Sequence, residues 1–312
     1  MVKRISVIFP VFNAKKYLVE YFPTVVASMR ASERLNNGQF EFSAVVVDDG
    51  STDQTSDYLK SNFPFVHVVM GTGSLWWSGS CNKGIEYCIS HLSPDFIMLW
   101  NIDTLPEENY FTNLAEIILQ AEMHDIIGSK VYLKNSNRIF SYGGGWNSRN
   151  GKMWNYGFGE VDNEKYQQPA LAEWNGGMGT IFPTQLIHDI GYIDEKNFPQ
   201  YFGDSDFFLR AGYKGYRMMI SPKLVIWNDE DNSGISNNLK LKSFFMGLYS
   251  IKSTQNIFIK WKFYKRHLRS STGWISYFRS TIDYAYQFAK QYIKMLFSGG
   301  RKELAKPGKV VG

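Results

Sequence analysis

Runs of apolar residues alternate with amphipathic stretches along the first 130 residues. RISVIF (4 to 9), FSAVVV (42 to 47), PFVHVVM (64 to 70), DFIMLW (95 to 100) and DIIGSKVYL (125 to 133) read as strands. Their unbroken apolar character, most evident in FSAVVV, predicts strands buried on both faces, as in a parallel sheet. Between them, helical spacing predicts helices over about Lys15 to Arg30, from near Asp53, over SGSCNKGIEYCIS (78 to 90) and after Pro106. Pro106, Glu107 and Glu108 look like a first helical turn, with proline early and acids at the positive end of the dipole. This βαβα alternation predicts an α/β fold with a mostly parallel sheet. From Ile139 to Trp174 the pattern gives way to Gly, Trp, Tyr and Asn, which predicts hairpins and loops. Helices return at Thr184 to Gly191 and Asp204 to Gly215, KLVIWN (223 to 228) is a last short strand, and two aromatic, basic helices span about Leu239 to Arg269 and Trp274 to Phe297.

Charge changes this picture at one place. The 312 residues carry a net charge of +5, but residues 238 to 312 hold 15 Lys and Arg against Asp283 and Glu303 alone. The shift predicts an acidic body at residues 1–237 and a basic, aromatic helical tail at 238–312. Aromatic rings interleaved with cations suit an anionic membrane surface, with a homodimer contact as the competing use. The acidic body gives no support to nucleic-acid binding. Two cysteines, Cys81 and Cys88, are too few for a disulfide framework. No apolar run reaches the length of a membrane-spanning helix, so a soluble or peripheral protein is expected.

Candidate chemistry collects where strands end. PVFN (10 to 13), DDGSTD (48 to 53), GTGSLWW (71 to 77) and NID (101 to 103) all follow predicted strands. In open α/β sheets that edge receives the ligand. Asp53 alone would be an ordinary helix cap, and Asp49-Gly50 an ordinary turn. Asp103, with Asn101 two residues away, suits oxygen-seeking Mg²⁺ or Mn²⁺. FGDSDFFLR (202 to 210) opens a helix with two acids, one more than a cap needs, and a carboxylate beside a substrate hydroxyl can serve as general base.

PVFN, VVVDDGSTD, SGSCNKGI, FIMLWNIDT, WNGGMGTIF and IGYIDEKNFPQYFGDSDFFLRAGYKGY, in this order, resemble family 2 glycosyltransferases of the GT-A fold over about residues 4 to 228. The likeness is nearest to the bacterial rhamnosyltransferase-like branch acting in surface polysaccharide assembly, where the metal motif is often Asn-x-Asp. The resemblance implies a UDP- or dTDP-linked sugar donor and a glycan or lipid-linked glycan acceptor. It implies transfer with inversion, and a cytoplasmic protein peripheral at the inner face of the cell membrane.

Carried over to this chain, it places Pro10, Phe12, Asn13, Asp48, Asp49, Asn82 and Asn101 around the nucleotide, with Asp48 or Asp49 accepting from the base. Asp103 binds the metal, and Asp204 is the base. Trp76, Trp77, Asn175, Gly176, Gly177 and Asp206 surround the donor and acceptor sugars. Many relatives have a histidine after the last strand as a further metal ligand; here Asn228, Asp229 and Glu230 follow, so Asn228 or Asp229 would substitute. Gly203 stands where the acidic motif commonly begins with Glu. A sugar nucleotidyltransferase is disfavoured, because PVFNAKKY is not a basic, Gly-rich phosphate loop, and no G-x-G-x-x-G marks a dehydrogenase. A sugar-nucleotide-binding scaffold without catalysis is the remaining alternative.

Overall fold

The computed structural model describes residues 2–229 and 240–297, so the expected boundary at Asn237 lies outside the described residues. The chain divides into two compact units, one of residues 1–144, 155–199 and 203–231, the other of residues 145–154, 200–202 and 232–312.

In chain order the first unit begins with β1 (Lys3–Val11), α1 (Lys15–Glu20), α2 (Phe22–Leu35), β2 (Phe40–Asp48), α3 (Thr55–Asn62), β3 (His67–Met70), α4 (Trp76–His91) and β4 (Phe96–Leu99). It continues through β5 (Thr104–Pro106), α5 (Tyr110–Gln120), β6 (Asp125–Leu133) and β7 (Ile139–Ser141). The hairpin β8 (Gly144–Asn147) and β9 (Lys152–Asn155) intervenes before β10 (Ala170–Ala172), β11 (Thr180–Pro183), α6 (Gln185–Ile190), α7 (Gly203–Tyr213) and β12 (Arg217–Asn228).

The main sheet runs β10-β12-β6-β11-β4-β1-β2-β3, with β5 added to β12 and β7 to β6. Its long pairings are parallel: β1 with β2 over nine residue pairs, β1 with β4, β2 with β3 and β6 with β12. Short β11 lies antiparallel between β4 and β6 and joins the two parallel blocks. β1 has β2 on one side and β4 on the other, so the chain winds outward from β1 both ways. That arrangement opens a crevice at the carboxyl ends of β1 and β4. Val7, Phe9, Val46, Met98 and Ile127 of the strands pack with Phe22, Val25, Leu114 and Ile118 of the helices in one core.

Several expectations are corrected. Pro10 does not end β1, which runs on to Val11. β4 leaves β1 after Ile8↔Leu99, so the missing N–H of Pro10 faces a side with no ladder left to feed. Pro106 does not open a helix; it ends β5 opposite Ile226, and α5 starts only at Tyr110. The helix expected over 15–30 is two helices meeting at Tyr21, with Pro23 in the first turn of α2. The last strand is twelve residues long and begins at Arg217, with a register shift between Ser221 and Val225.

In the second unit the tail forms three helices, α8 (Leu241–Tyr249), α9 (Ile257–His267) and α10 (Trp274–Phe297), where two were expected. Asn256 caps α9 by accepting from the N–H groups of Phe258 and Ile259. Within this unit Trp146 of the hairpin sets its ring edge against Phe263 and Tyr264. No described helix is long and apolar enough to cross a membrane.

Candidate active site

Each strand end at the crevice is followed by a tightly bonded loop. Asp48 ends β2, Asp49 follows it, and each gathers a different loop. Asp48, 1 % exposed, accepts from Ser51 N at 2.9 Å and from the Ser56 hydroxyl. Asp49 accepts from Gly73 N and Leu75 N at 2.8 Å each and from Trp76 N at 3.1 Å. Both carboxylates organise the loops at 51–56 and 71–76, and separate sets of N–H and O–H donors relieve their repulsion. Asn13, at φ 50°, ties the end of β1 to the same region: its N–H reaches Ser51 Oγ and its Oδ1 accepts from Thr52 N, each at 2.8 Å. Phe12 beside it is well exposed, and Pro10 half-buried. Gly50, at φ 77°, lets the two loops close on each other, since a Cβ there would lie 3.0 Å from Gly73 Cα.

A second group assembles around α4, the end of β4 and the segment before β11. Trp77 Nε1 donates to Asn101 Oδ1 at 2.9 Å, which fixes the indole across the mouth of β4. Gly177 lies on that ring; a Cβ at 177 would fall 2.2 Å from Trp77. Gly176 lies beside Asp204, whose Oδ2 is 3.6 Å from where a Cβ at 176 would sit. Gly177 is therefore required by the protein itself, before any ligand is considered. Trp76 enters α4 at φ 60°, a left-handed backbone that is strained for a bulky residue.

Hydroxyls buried beneath the 175–180 segment hold it in place. Thr180 Oγ1 donates to Gly176 O at 2.7 Å and receives Asn175 Nδ2 at 3.0 Å. Gly179 N donates to Leu99 O, and Gly179 O accepts from Ser129 Oγ and Tyr110 Oη. Asn175 is fully enclosed, and its Oδ1 lacks a protein partner. Sequence reasoning missed Tyr110, Ser129 and Thr180. The available signal was a hydroxyl inside an otherwise apolar strand, as in DIIGSKVYL and GTIF.

Asp204 occupies the first turn of α7, where the helix dipole favours a negative charge. It accepts from Ser205 N at 2.7 Å and from Gly177 N–H. Burial outweighs these donors and pushes its carboxyl above the usual carboxylate range. The same charge, second to burial, pushes up the Cys81 thiol. Gly203 is needed just before it, because a Cβ would lie 2.2 Å from Ser78 Oγ.

Other expected residues have different work. Asp206 is 0 % exposed and bonds Arg210 Nε at 2.9 Å, while Arg210 reaches Ile190 O and Tyr192 O. Asp206 anchors the start of α7 to Arg210. Asn82 bridges α4 to Ile193 through both amide atoms and also donates to Glu195 Oε2 at 2.8 Å. Asn101 likewise uses its Oδ1 on Trp77.

Asp103 is half-buried in the turn between β4 and β5, and its carbonyl accepts from Asp229 N at 2.9 Å. Among the described residues no three His, Cys, Asp or Glu side chains gather as a metal cluster. Asp229 Oδ2 receives Lys134 Nζ at 2.7 Å and Tyr21 Oη at 2.8 Å. An ammonium neutralises it and is itself held above the usual lysine range by that bond. Asn228 is buried at the end of β12; Glu230 lies outside the described residues.

The glycosyl transferase family 2 model matches residues 6–172, more than half of the chain. No curated protein matches it. Among solved structures, S. aureus TarS 1–349 is similar at a TM-score of 0.50 and 19 % identity, over 73 % of this chain and 60 % of that one. The same protein in complex with UDP gives a TM-score of 0.50 at 19 % identity, over 72 % and 60 %. GalNAc-T7 with UDP, GalNAc and Mn²⁺ is similar at 0.56 and 12 % identity, over 95 % of this chain and 58 % of that one. This chain thus spans about three fifths of the length of these neighbours. At such identities the likeness speaks for the fold, and the family match speaks for descent. The chain belongs to glycosyl transferase family 2 and has the GT-A fold.

Proposed function

We propose that the protein transfers a sugar from a UDP- or dTDP-linked donor to a hydroxyl of a glycan or lipid-linked glycan, with inversion, in surface glycan synthesis. The observation that carries this reading is Asp204: a carboxyl raised by burial beside two glycines, one of which packs on the ring of Trp77. The UDP present in the TarS and GalNAc-T7 structures supports the donor class.

Phe12 and Asn13 at the end of β1 face the nucleoside, while the loops gathered by Asp48 and Asp49 give it fixed walls. Trp77, held by Asn101, offers its ring to the donor sugar, and Gly176 and Gly177 let the acceptor come close. Asp204 takes the proton of the acceptor hydroxyl as that oxygen bonds to the anomeric carbon. The bond from that carbon to the diphosphate oxygen breaks on the opposite face, and the nucleoside diphosphate leaves with the electron pair. A base poised in this way contributes about 10²- to 10⁴-fold. Asp103 would hold Mg²⁺ or Mn²⁺, whose chemistry is to neutralise charge on the departing diphosphate.

Calorimetric titration with UDP and dTDP, each with and without Mn²⁺ or Mg²⁺, tests the reading. Metal-dependent binding of one nucleotide, weakened in Asp103→Ala, is expected. No binding of either nucleotide under any of these conditions would overturn it.

A further inference from the structure

α10 has two apolar faces, and only one is used. Tyr277, Tyr284 and Phe288 pack inside the second unit, with Tyr277 against Tyr264 and Trp261 and with Tyr284 and Phe288 against Phe244. At 100° per residue these three fall within about 40° of arc. A separate stripe, about 80° wide, carries Ile275, Phe278, Ile282, Tyr286, Ile293 and Leu296, all 52–67 % exposed. A core-facing helix has no use for six large apolar side chains left in water. Arg279, Lys290 and Lys294 line one flank of the stripe and are exposed, with Asp283 the one acid of the helix.

We infer that this stripe docks the protein flat on an anionic lipid surface. Apolar side chains would enter the boundary between headgroups and acyl chains, while the flanking cations stay at headgroup level. Charge selects this occupant over a second copy of the chain. Residues 238–312 carry 15 basic and two acidic side chains, so a second copy on the stripe would bring like charges together, whereas an anionic surface attracts each of them. α10 is too polar to cross the bilayer, which leaves the interface as its place. The inference deepens the lipid-linked acceptor reading above, but rests on the stripe and its charge and not on Asp204.

The full chain should be mixed with sedimenting vesicles of phosphatidylcholine alone or with about 30 % phosphatidylglycerol. The expected result is at least tenfold stronger binding to the anionic vesicles. That binding should fall at least tenfold further in Phe278→Gln/Ile282→Gln/Ile293→Gln, whose substitutions keep good helix formers. Lys290→Gln/Lys294→Gln should lose about fivefold per cation. Circular dichroism and metal-dependent UDP binding of each variant, unchanged from the parent, show that the fold and the nucleotide site survive. Equal binding to both vesicle types, or triple-variant binding equal to the parent's, overturns the inference. A parent that ignores vesicles yet dimerises in sedimentation equilibrium, with the triple variant monomeric, assigns the stripe to a second copy instead. Either failure leaves Asp204 and transfer to a soluble acceptor untouched.

Discussion

The end of β2 and the start of α7 each carry two nearby acids, and they use them in different ways. At β2, Asp48 and Asp49 take five donors between them and become part of the loops. At α7, Asp206 bonds Arg210, while burial outweighs the donors that Ser205 and Gly177 bring to Asp204. A pair of adjacent acids is therefore a poor guide to chemistry. What marks Asp204 is that its burial outweighs its donors, which raises its proton affinity.

The sharpest way to break this contrast is Asp204→Asn. Transfer should fall by about 10²- to 10⁴-fold, with nucleotide affinity held within about twofold, as read by single-turnover assay and calorimetry. Equal turnover would remove Asp204 as the base. Transfer should also rise with pH through the raised titration of Asp204 and then level off, since only the ionised carboxylate can accept a proton. A rate that falls across that range would assign the titration to an acid.

Next in size is Asp49→Ala. It leaves the N–H groups of Gly73, Leu75 and Trp76 without their acceptor, a loss of about 3 kcal/mol in urea unfolding. A variant that is fully stable but cannot bind nucleotide would return Asp49 to the base contact. Gly177→Ala forces a methyl into the Trp77 ring and should cost about 1–3 kcal/mol, seen as a lower melting temperature and weaker donor-sugar binding. Smallest is Asn101→Ala, which frees the indole from one hydrogen bond. It should weaken donor-sugar binding by about 1 kcal/mol while leaving affinity for the bare nucleoside diphosphate alone.

The same contrast explains what the sequence made legible. FSAVVV and DIIGSKVYL could be read as strands because burial on both faces leaves a local trace in composition. The family pattern led to Asp204 and to the Gly176-Gly177 segment by position. The fate of Asp48, Asp49, Asn82 and Asp206 was not legible. The partners of Asp49 lie 24 to 27 residues away, and those of Asn82 more than a hundred. Pro106 was misread because its strand exists only through pairing with β12, whose first half also escaped notice. Local propensity sees caps and turns; it cannot see which distant backbone N–H will claim a carboxylate.

The most direct measurement needs no substrate: thermal unfolding of the parent and of Asp204→Asn between pH 4 and pH 8. The folded protein keeps the Asp204 proton over a range in which the unfolded chain has lost it, so this group's contribution to stability falls as pH rises through that window. A neutral amide escapes that loss. The asparagine variant should therefore melt above the parent near neutral pH, with the difference growing from pH 4 upward until Asp204 is fully ionised. A variant that melts below the parent at neutral pH, by a margin that widens with pH, would mean that the carboxylate is well supplied with donors like Asp49, and would contradict its assignment as the poised base.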